Sequence, residues 1–429
     1  MSAASAYEEI RQRVVVAVER GEVNPVSGDP AEVRAAITAL VRAWQLDAHQ
    51  RDGAAPLTDV ARMVDRVTAA VLDYGPLTAL LRDPTVEEVL IRGHRLWYVT
   101  CDGQLRRPAV SEGEPQMRAY VERLLLTSSQ RVALDQTNPI VSVGLPGHMR
   151  LSVKVPPVVD ELDVSIRRRS RARPSLAALV GSDSLSAPAA GLLWTLMQDR
   201  VRIVVGGAPG AGKTHLVDAL LGCIPLGADH VVRVNEETPE LSQAVAVGGY
   251  TRTTDWIDGA GLSLRDLIKA DLRFRPGWLV VGEVRGEEAY ELLRPLNAGV
   301  GLLTTLHANS AADCIDALTV AASMAGQGLD PQLLRALFTR AIDVVVYCEH
   351  DSGRRQVTEI AWVDAQLRDG HVVVETLFRA DDLGSPLEWT GARPPERVMR
   401  RGDRTLARTH PGATLKQVLA GEAVVGSVP

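Results

Sequence analysis

The chain has 429 residues, 46% hydrophobic and 23% charged, with a formal net charge of −6, which predicts an ordinary soluble protein of two or three domains. The acidic balance argues against stable nucleic-acid binding, which usually takes a basic surplus to neutralise phosphates. Cys101, Cys223, Cys314 and Cys348 form no CxxC pair, the start of the chain lacks a signal-peptide pattern, and no apolar run approaches ~20 residues, so zinc, secretion and a membrane span are all disfavoured.

Asp29-Pro30-Ala31-Glu32 reads as a helix start, with an Asp cap, Pro in the first turn and Glu three residues on. Val33, Ile37, Leu40, Val41 and Trp44 then share one helical face. Asp47 to Pro56 is polar and reads as a linker, and a second helix is predicted from Leu57 to Asp73. Tyr74 to Arg169 reads as mixed α/β. Strands are predicted at Val86 to Arg92 and Leu96 to Thr100, at Ile140 to Leu145 and Met149 to Val155 around Pro146-Gly147, and at Val164 to Arg167, with a helix at Met117 to Leu126. The basic run Arg167 to Arg173, ended by Pro174, reads either as a solvated connector or as one whose first arginine reaches a phosphate.

From Leu176 the pattern changes to short apolar strands separated by helices: Val201 to Val205, Val231 to Val234, Trp278 to Val281 and Leu302 to Leu306. Such runs imply a parallel sheet covered on both faces. A further strand is predicted at His371 to Leu377, and the Pro/Gly/Arg-rich stretch Gly384 to Arg404 reads as loose.

Gly207-Ala208-Pro209-Gly210-Ala211-Gly212-Lys213-Thr214 fits GxxxxGK[ST], with an apolar strand before it and a helix, His215 to Leu221, after it. Glycines let backbone N–H groups curl around a β-phosphate, and the helix N-terminus adds partial positive charge. Lys213 reaches the β/γ oxygens and Thr214 offers its hydroxyl to Mg²⁺. The segment therefore binds a magnesium–nucleoside triphosphate. A carboxylate at a strand's C-terminal end is the expected metal-side group, and Glu283 ends the strand Leu279-Val-Val. Glu236 or Glu237, after Val231 to Val234, could polarise water. His307 ends another strand, and its position alone leaves it between phosphate contact and loop packing. Ser310 with Asp313, and Ser263 with Asp266, read as capping boxes. Arg265, Lys269 and Arg273 make a basic stripe, either solvated or at a subunit interface.

Taken in order, Gly207 to Thr214, Asn235-Glu-Glu-Thr-Pro-Glu-Leu241, Leu272-Arg-Phe-Arg-Pro276 with Val281-Gly-Glu-Val-Arg-Gly286, and Thr304-Thr-Leu-His-Ala-Asn-Ser310 resemble the type II/IV secretion ATPase superfamily. They are most similar to CpaF-like ATPases of Tad pili. Tyr74-Gly-Pro-Leu77 and Asp83-Pro-Thr-Val-Glu-Glu88 resemble the family's first domain. The resemblance implies a RecA-like P-loop core (181–380) joined by a linker (169–180) to a smaller N-terminal mixed α/β domain (57–168). A helical N-terminal leader (1–56) and a C-terminal tail (381–429) flank them.

It also implies a homo-hexamer with ATP between the two domains, working on inner-membrane platform proteins at the cytoplasmic face. Its motif positions make Glu236 the water-activating base, Glu283 the Mg²⁺-side ligand and His307 a γ-phosphate sensor. Arg150 and Arg167 match arginines that reach over the nucleotide, and Arg273 and Arg285 match arginines near the subunit interface. Asn297-Ala-Gly-Val-Gly301 is shorter than in the family and lacks its histidine, and Asn235 replaces an apolar residue. Two other readings of the same core are a nucleic-acid translocase of a conjugation-type system and a weakly hydrolysing, nucleotide-gated assembly subunit.

Overall fold

A computed structural model describes the chain except for residues 1–2, 21, 26–28, 51–56, 58, 73, 102, 109–111, 129–133, 148, 169–173, 226–230, 237–239, 243–249, 254–262, 352 and 426–429. It divides into two compact units, Met1–Arg171 and Ala172–Pro429.

The first unit opens with helices α1 (Ala3–Glu19), α2 (Pro30–Gln50) and α3 (Val60–Leu72). Their apolar faces share one core around Ile10, Val14, Ile37, Val41, Trp44 and Val67. Trp44 Nε1 donates to Glu9 Oε2 at 2.8 Å, which gives the buried indole a partner. Because α2 continues to Gln50, residues 47–50 are helix rather than linker, and 51–56 lie outside the described residues.

Next come α4 (Leu77–Arg82), β1 (Val86–Arg92), β2 (Arg95–Thr100), β3 (Leu105–Arg106), α5 (Glu114–Leu125), β4 (Ile140–Leu145), β5 (Met149–Lys154) and β6 (Asp163–Arg168). The strands form an antiparallel sheet in the order β3-β2-β1-β6-β5-β4. Alternation along them buries one face: Val89, Ile91, Met149, Leu151, Val153, Val164 and Ile166 pack with Met117, Val121 and Leu124 of α5. The opposite face is mostly polar, with Ser142, Arg150, Ser152, Lys154, Ser165 and Arg167 beside Leu90 and Trp97.

The second unit begins with α6 (Leu176–Gly181) and α7 (Ala187–Met197). Residues 176–180, expected in the linker, belong to α6, whose Leu176 and Leu179 are buried. Then follow β7 (Arg202–Gly207), α8 (Lys213–Leu221), β8 (Val232–Glu236), β9 (Tyr250–Thr253), α9 (Leu264–Asp271), β10 (Trp278–Val281), α10 (Glu288–Asn297), β11 (Gly301–Thr305), α11 (Asp313–Ser323) and α12 (Pro331–Ala341). The unit closes with β12 (Val344–Asp351), β13 (Arg354–Val363), β14 (Val374–Arg379), β15 (Glu388–Trp389), α13 (Glu396–Thr409) and α14 (Leu415–Leu419).

Among the described residues the sheet order is β15-β14-β13-β12-β7-β11-β10-β8-β9. It is parallel from β12 to β9 and antiparallel from β12 outward to β15. One face packs on α7, α8, α13 and α14, and the other on α9, α10, α11 and α12. The expected parallel strands are present.

Two expectations change. The strand predicted from His371 begins at Val374, because Arg368 and His371 instead close a small turn. The stretch read as loose contains β15 and most of α13. That helix is amphipathic: Val398, Met399 and Leu406 are buried, while Arg397, Arg400, Arg401, Arg404 and Arg408 face solvent.

Candidate functional site

The loop from Gly207 to Gly212 joins buried β7 to α8, at the C-terminal edge of the parallel strands, where open α/β sheets bind ligands. Its curvature depends on glycine. Gly207 has φ +146°, and a side-chain carbon there would lie 2.2 Å from the Cys348 carbonyl oxygen on β12. Gly212, at φ +89°, caps α8 in the left-handed region. Ala211 is buried, which pins the loop to the core, while Ala208, Pro209 and Gly210 face solvent. Thr214 is half-buried and His215 is exposed, both in the first turn of α8.

Lys213 is buried, and its Nζ donates to the Gly207 and Ala208 carbonyls at 2.8 Å each. Burial pushes its pKa down, and the Glu283 carboxylate opposes that shift. His307 lies between these two groups. Its Nδ1 is 3.2 Å from Lys213 Nζ and its Nε2 is 2.9 Å from Glu283 Oε1. Nδ1 is also 3.2 Å from the Gly207 carbonyl oxygen, so whether it accepts from the Lys213 ammonium or donates to that carbonyl depends on the ring tautomer. The other carboxylate oxygen of Glu283 accepts from Arg285. The Thr305 hydroxyl donates to the Gly282 carbonyl at 2.7 Å, which fastens the strand end before His307 to the residue before Glu283.

Glu236 ends β8 and is buried; its Oε1 accepts from the backbone N–H groups of Glu240 and Leu241 at 2.8 and 3.1 Å. A side-chain carbon on Gly282 would sit 3.0 Å from Glu236 Cγ, so that glycine lets Glu236 lie close to the Glu283 strand end. Glu237 falls outside the described residues.

Arg150 and Arg167 belong to the first unit, where they are register partners on β5 and β6. Arg150 Nε donates to Ser142 Oγ at 3.0 Å, and Arg167 is exposed on the same polar sheet face. Arg168 points the other way and binds the carbonyls of Val86 and Leu81, so its role is structural. The rest of the basic run, 169–173, lies outside the described residues.

Arg273 is exposed on a 3-10 turn (Leu272–Phe274) before β10, at the opposite strand end from Glu283, and does not join the Lys213 cluster. The basic stripe is also divided. Arg265 pairs with Glu287, just before α10, and with Glu291 of α10 at 2.8 and 2.9 Å, and Lys269 reaches Glu291 at 3.6 Å. Those two cations join α9 to the start of α10 within the unit. Ser263 and Asp266 form the full capping box. At Ser310 only half of one is present, the serine hydroxyl accepting from Asp313 N.

The motif reading missed two supports. Asp218 of α8 accepts from the backbone and hydroxyl of Ser242, tying the phosphate-loop helix to the acidic segment. Arg202, at the start of β7, makes a two-pronged ion pair with Asp343, at 2.7 and 2.8 Å. The signal for the second was an arginine opening an otherwise apolar strand.

Residues 72–347 match the family described as "Type II/IV secretion system protein". The chain is 31% identical to the conjugal transfer protein TrbB of Rhizobium radiobacter, over 56% of this chain and 72% of that protein. It is 28% identical to the type IV secretion system protein VirB11 of Bartonella quintana, over 69% of this chain and 93% of that one. Among solved structures, the VirB11 ATPase of Brucella suis aligns at TM-score 0.36 and 24% identity, covering 67% of this chain and 95% of that one. The family match takes in the phosphate loop, the acidic segment, Glu283 and His307 together, and the chain belongs to the type II/IV secretion system protein family.

Proposed function

We propose that the chain is a secretion-system ATPase, working as a homo-hexamer at the cytoplasmic face of the inner membrane. It would drive membrane platform proteins in pilin assembly, in the manner of CpaF-like proteins, or in protein export. The observation that carries this reading is the line Lys213–His307–Glu283 at the phosphate loop. A γ-phosphate held by Lys213 meets His307 on the same side, so the imidazole exchanges a lysine contact for a phosphate contact and passes the change to Glu283.

Magnesium, bound with the nucleotide, neutralises charge on the β- and γ-phosphates. Thr214 fits the role of its direct protein ligand. Glu283 would reach it through water, because its two oxygens already face Arg285 and His307. Glu236 is the proposed base: two backbone N–H groups fix its carboxylate. Arg150 and Arg167, paired on one sheet face, are the proposed second source of cations for the triphosphate, and Arg273 the proposed contact with a neighbouring subunit. Among the described residues no helix is long and apolar enough to cross a membrane, which fits delivery of work through partners.

Phosphate release by the purified hexamer, with its mass measured alongside, tests the reading. Lys213→Ala and Glu236→Gln are both expected to abolish turnover, and activity surviving in Lys213→Ala would sink the assignment. Near-zero rates in both the parent hexamer and Glu236→Gln would favour the nucleotide-gated assembly subunit. Relatives named for conjugal transfer favour one second reading, nucleic-acid translocation. Turnover stimulated by single-stranded DNA, with a steep salt dependence, would establish it.

A further inference from the structure

The hairpin of β12 and β13 reaches past the end of β7. Its parallel pairing with β7 stops at Cys348, opposite Gly207, where β7 turns into the phosphate loop. Glu349, His350 and Asp351 continue beyond β7, paired only with β13, which returns with His350 opposite Arg355. Both of these side chains are exposed. The same register puts them on the face of Cys348 and Val357, which is the face α8 packs against.

Two close approaches locate the tip. A side-chain carbon on Gly210 would lie 3.6 Å from His350 Nε2. One on Gly212 would lie 3.8 Å from both Cβ and Cδ of Arg355.

The two sides of the loop therefore differ. Lys213, His307 and Glu283 gather on the side of β11 and β10, and they suit the terminal phosphate. β7's other neighbour is β12. A nucleotide anchored by its last phosphate at Lys213, with its other phosphates over the first turn of α8, would lead toward the hairpin. We infer that Arg355 is a nucleotide-binding residue, with its guanidinium on the α-phosphate and the β12–β13 tip walling the nucleoside end. This rests on the reading of Gly207 to Thr214 as an ATP site. Arginine suits the task, since its planar fork binds phosphate in a fixed geometry and keeps its charge.

Calorimetric titration with Mg-ADP and with Mg-pyrophosphate, which has no nucleoside and fills the loop beside Lys213, separates the two ideas. Arg355→Ala is expected to weaken ADP about tenfold or more while leaving pyrophosphate within about twofold. Arg355→Lys should recover part of the ADP affinity. Unchanged ADP binding, or equal loss for both ligands, overturns the role of Arg355 and leaves the ATP site standing. If the parent protein binds neither ligand, or Lys213→Ala binds both normally, the ATP site itself fails and the inference falls with it.

Discussion

His307 Nε2 lies 2.9 Å from Glu283 Oε1, joining the ends of two neighbouring parallel strands, β11 and β10. The carboxylate stands against one ring nitrogen, while Nδ1 lies 3.2 Å from both Lys213 Nζ and the Gly207 carbonyl oxygen. Removing either partner should spoil turnover more than binding. His307→Ala and Glu283→Gln are each expected to cut ATP turnover by roughly 10² or more. Mg-ADP affinity should stay within a few-fold of the parent. Phosphate-release rates beside calorimetric ADP titrations check this, and a parallel collapse of both quantities would contradict it.

The Arg202–Asp343 pair fixes the start of β7 to the start of β12, and both side chains are mostly buried. Asp343→Ala leaves a guanidinium without its carboxylate and an Arg202 backbone N–H without its acceptor. A loss of about 3 kcal/mol is expected. Urea melts measure it directly, and a shift below about 1 kcal/mol would show that solvent replaces the carboxylate.

Leu406 is fully buried in the core that also holds Leu216 and Val217 of α8. Leu406→Ala should therefore cost about 2–5 kcal/mol. The exposed neighbour Arg404, changed to Ala, should stay within about 0.5 kcal/mol. Thermal melts of the two variants, measured together, check the contrast.

Asp266 answers to pH. The Ser263 hydroxyl and then the Ser263 backbone N–H donate to it and hold its carboxyl below the ordinary 3.8. The folded chain then binds this proton less readily than the unfolded chain. The stabilisation is fully present above the unfolded value and is lost as pH falls through the lower folded one. The parent should thus lose more stability between pH 5 and pH 3 than Asp266→Asn does, by denaturant melts at about those values. Equal losses would mean that the capping box does not titrate with folding.

Cysteine reactivity should be confined to one position. Burial pushes Cys223 and Cys348 up to about 12 and Cys314 higher still, whereas Cys101 is exposed. Iodoacetamide on the folded protein near neutral pH is expected to modify Cys101 alone, by peptide mass analysis.

The phosphate loop was legible because its glycines and lysine follow an uninterrupted apolar strand, and each residue type has one physical reason to be there. Glu283 and His307 were legible from their places at strand ends. Their mutual contact was not, since neighbouring strands in a parallel sheet are distant in sequence. Val344-Val345-Val346-Tyr347 could have announced β12, but the charged Glu349-His350-Asp351 that follows reads as a loop, and the hairpin went unnamed. In α13 the buried positions Val398, Met399, Gly402, Thr405 and Leu406 keep helical spacing. Two of them are too small or polar to register as a core face among so many arginines. Arg265 and Lys269 read as a free stripe because Glu287 and Glu291 lie at the start of a different helix.

The placement of α14 bears on how the protein is made. Leu415, Val418 and Leu419 are buried in the same core as α7 and α8, and a side-chain carbon on Gly191 of α7 would meet Val418 at 2.7 Å. A ribosome that has translated through Val363 has already supplied the phosphate loop and the strands on either side of it. It has not yet supplied α13 and α14, which complete the apolar cover that α7 and α8 begin on one side of that sheet. That face of the second unit therefore stays only partly covered until Leu419 has left the exit tunnel. A chain stopped before α14 leaves exposed the apolar surface that Leu415, Val418 and Leu419 bury, which favours aggregation and capture by chaperones or proteases.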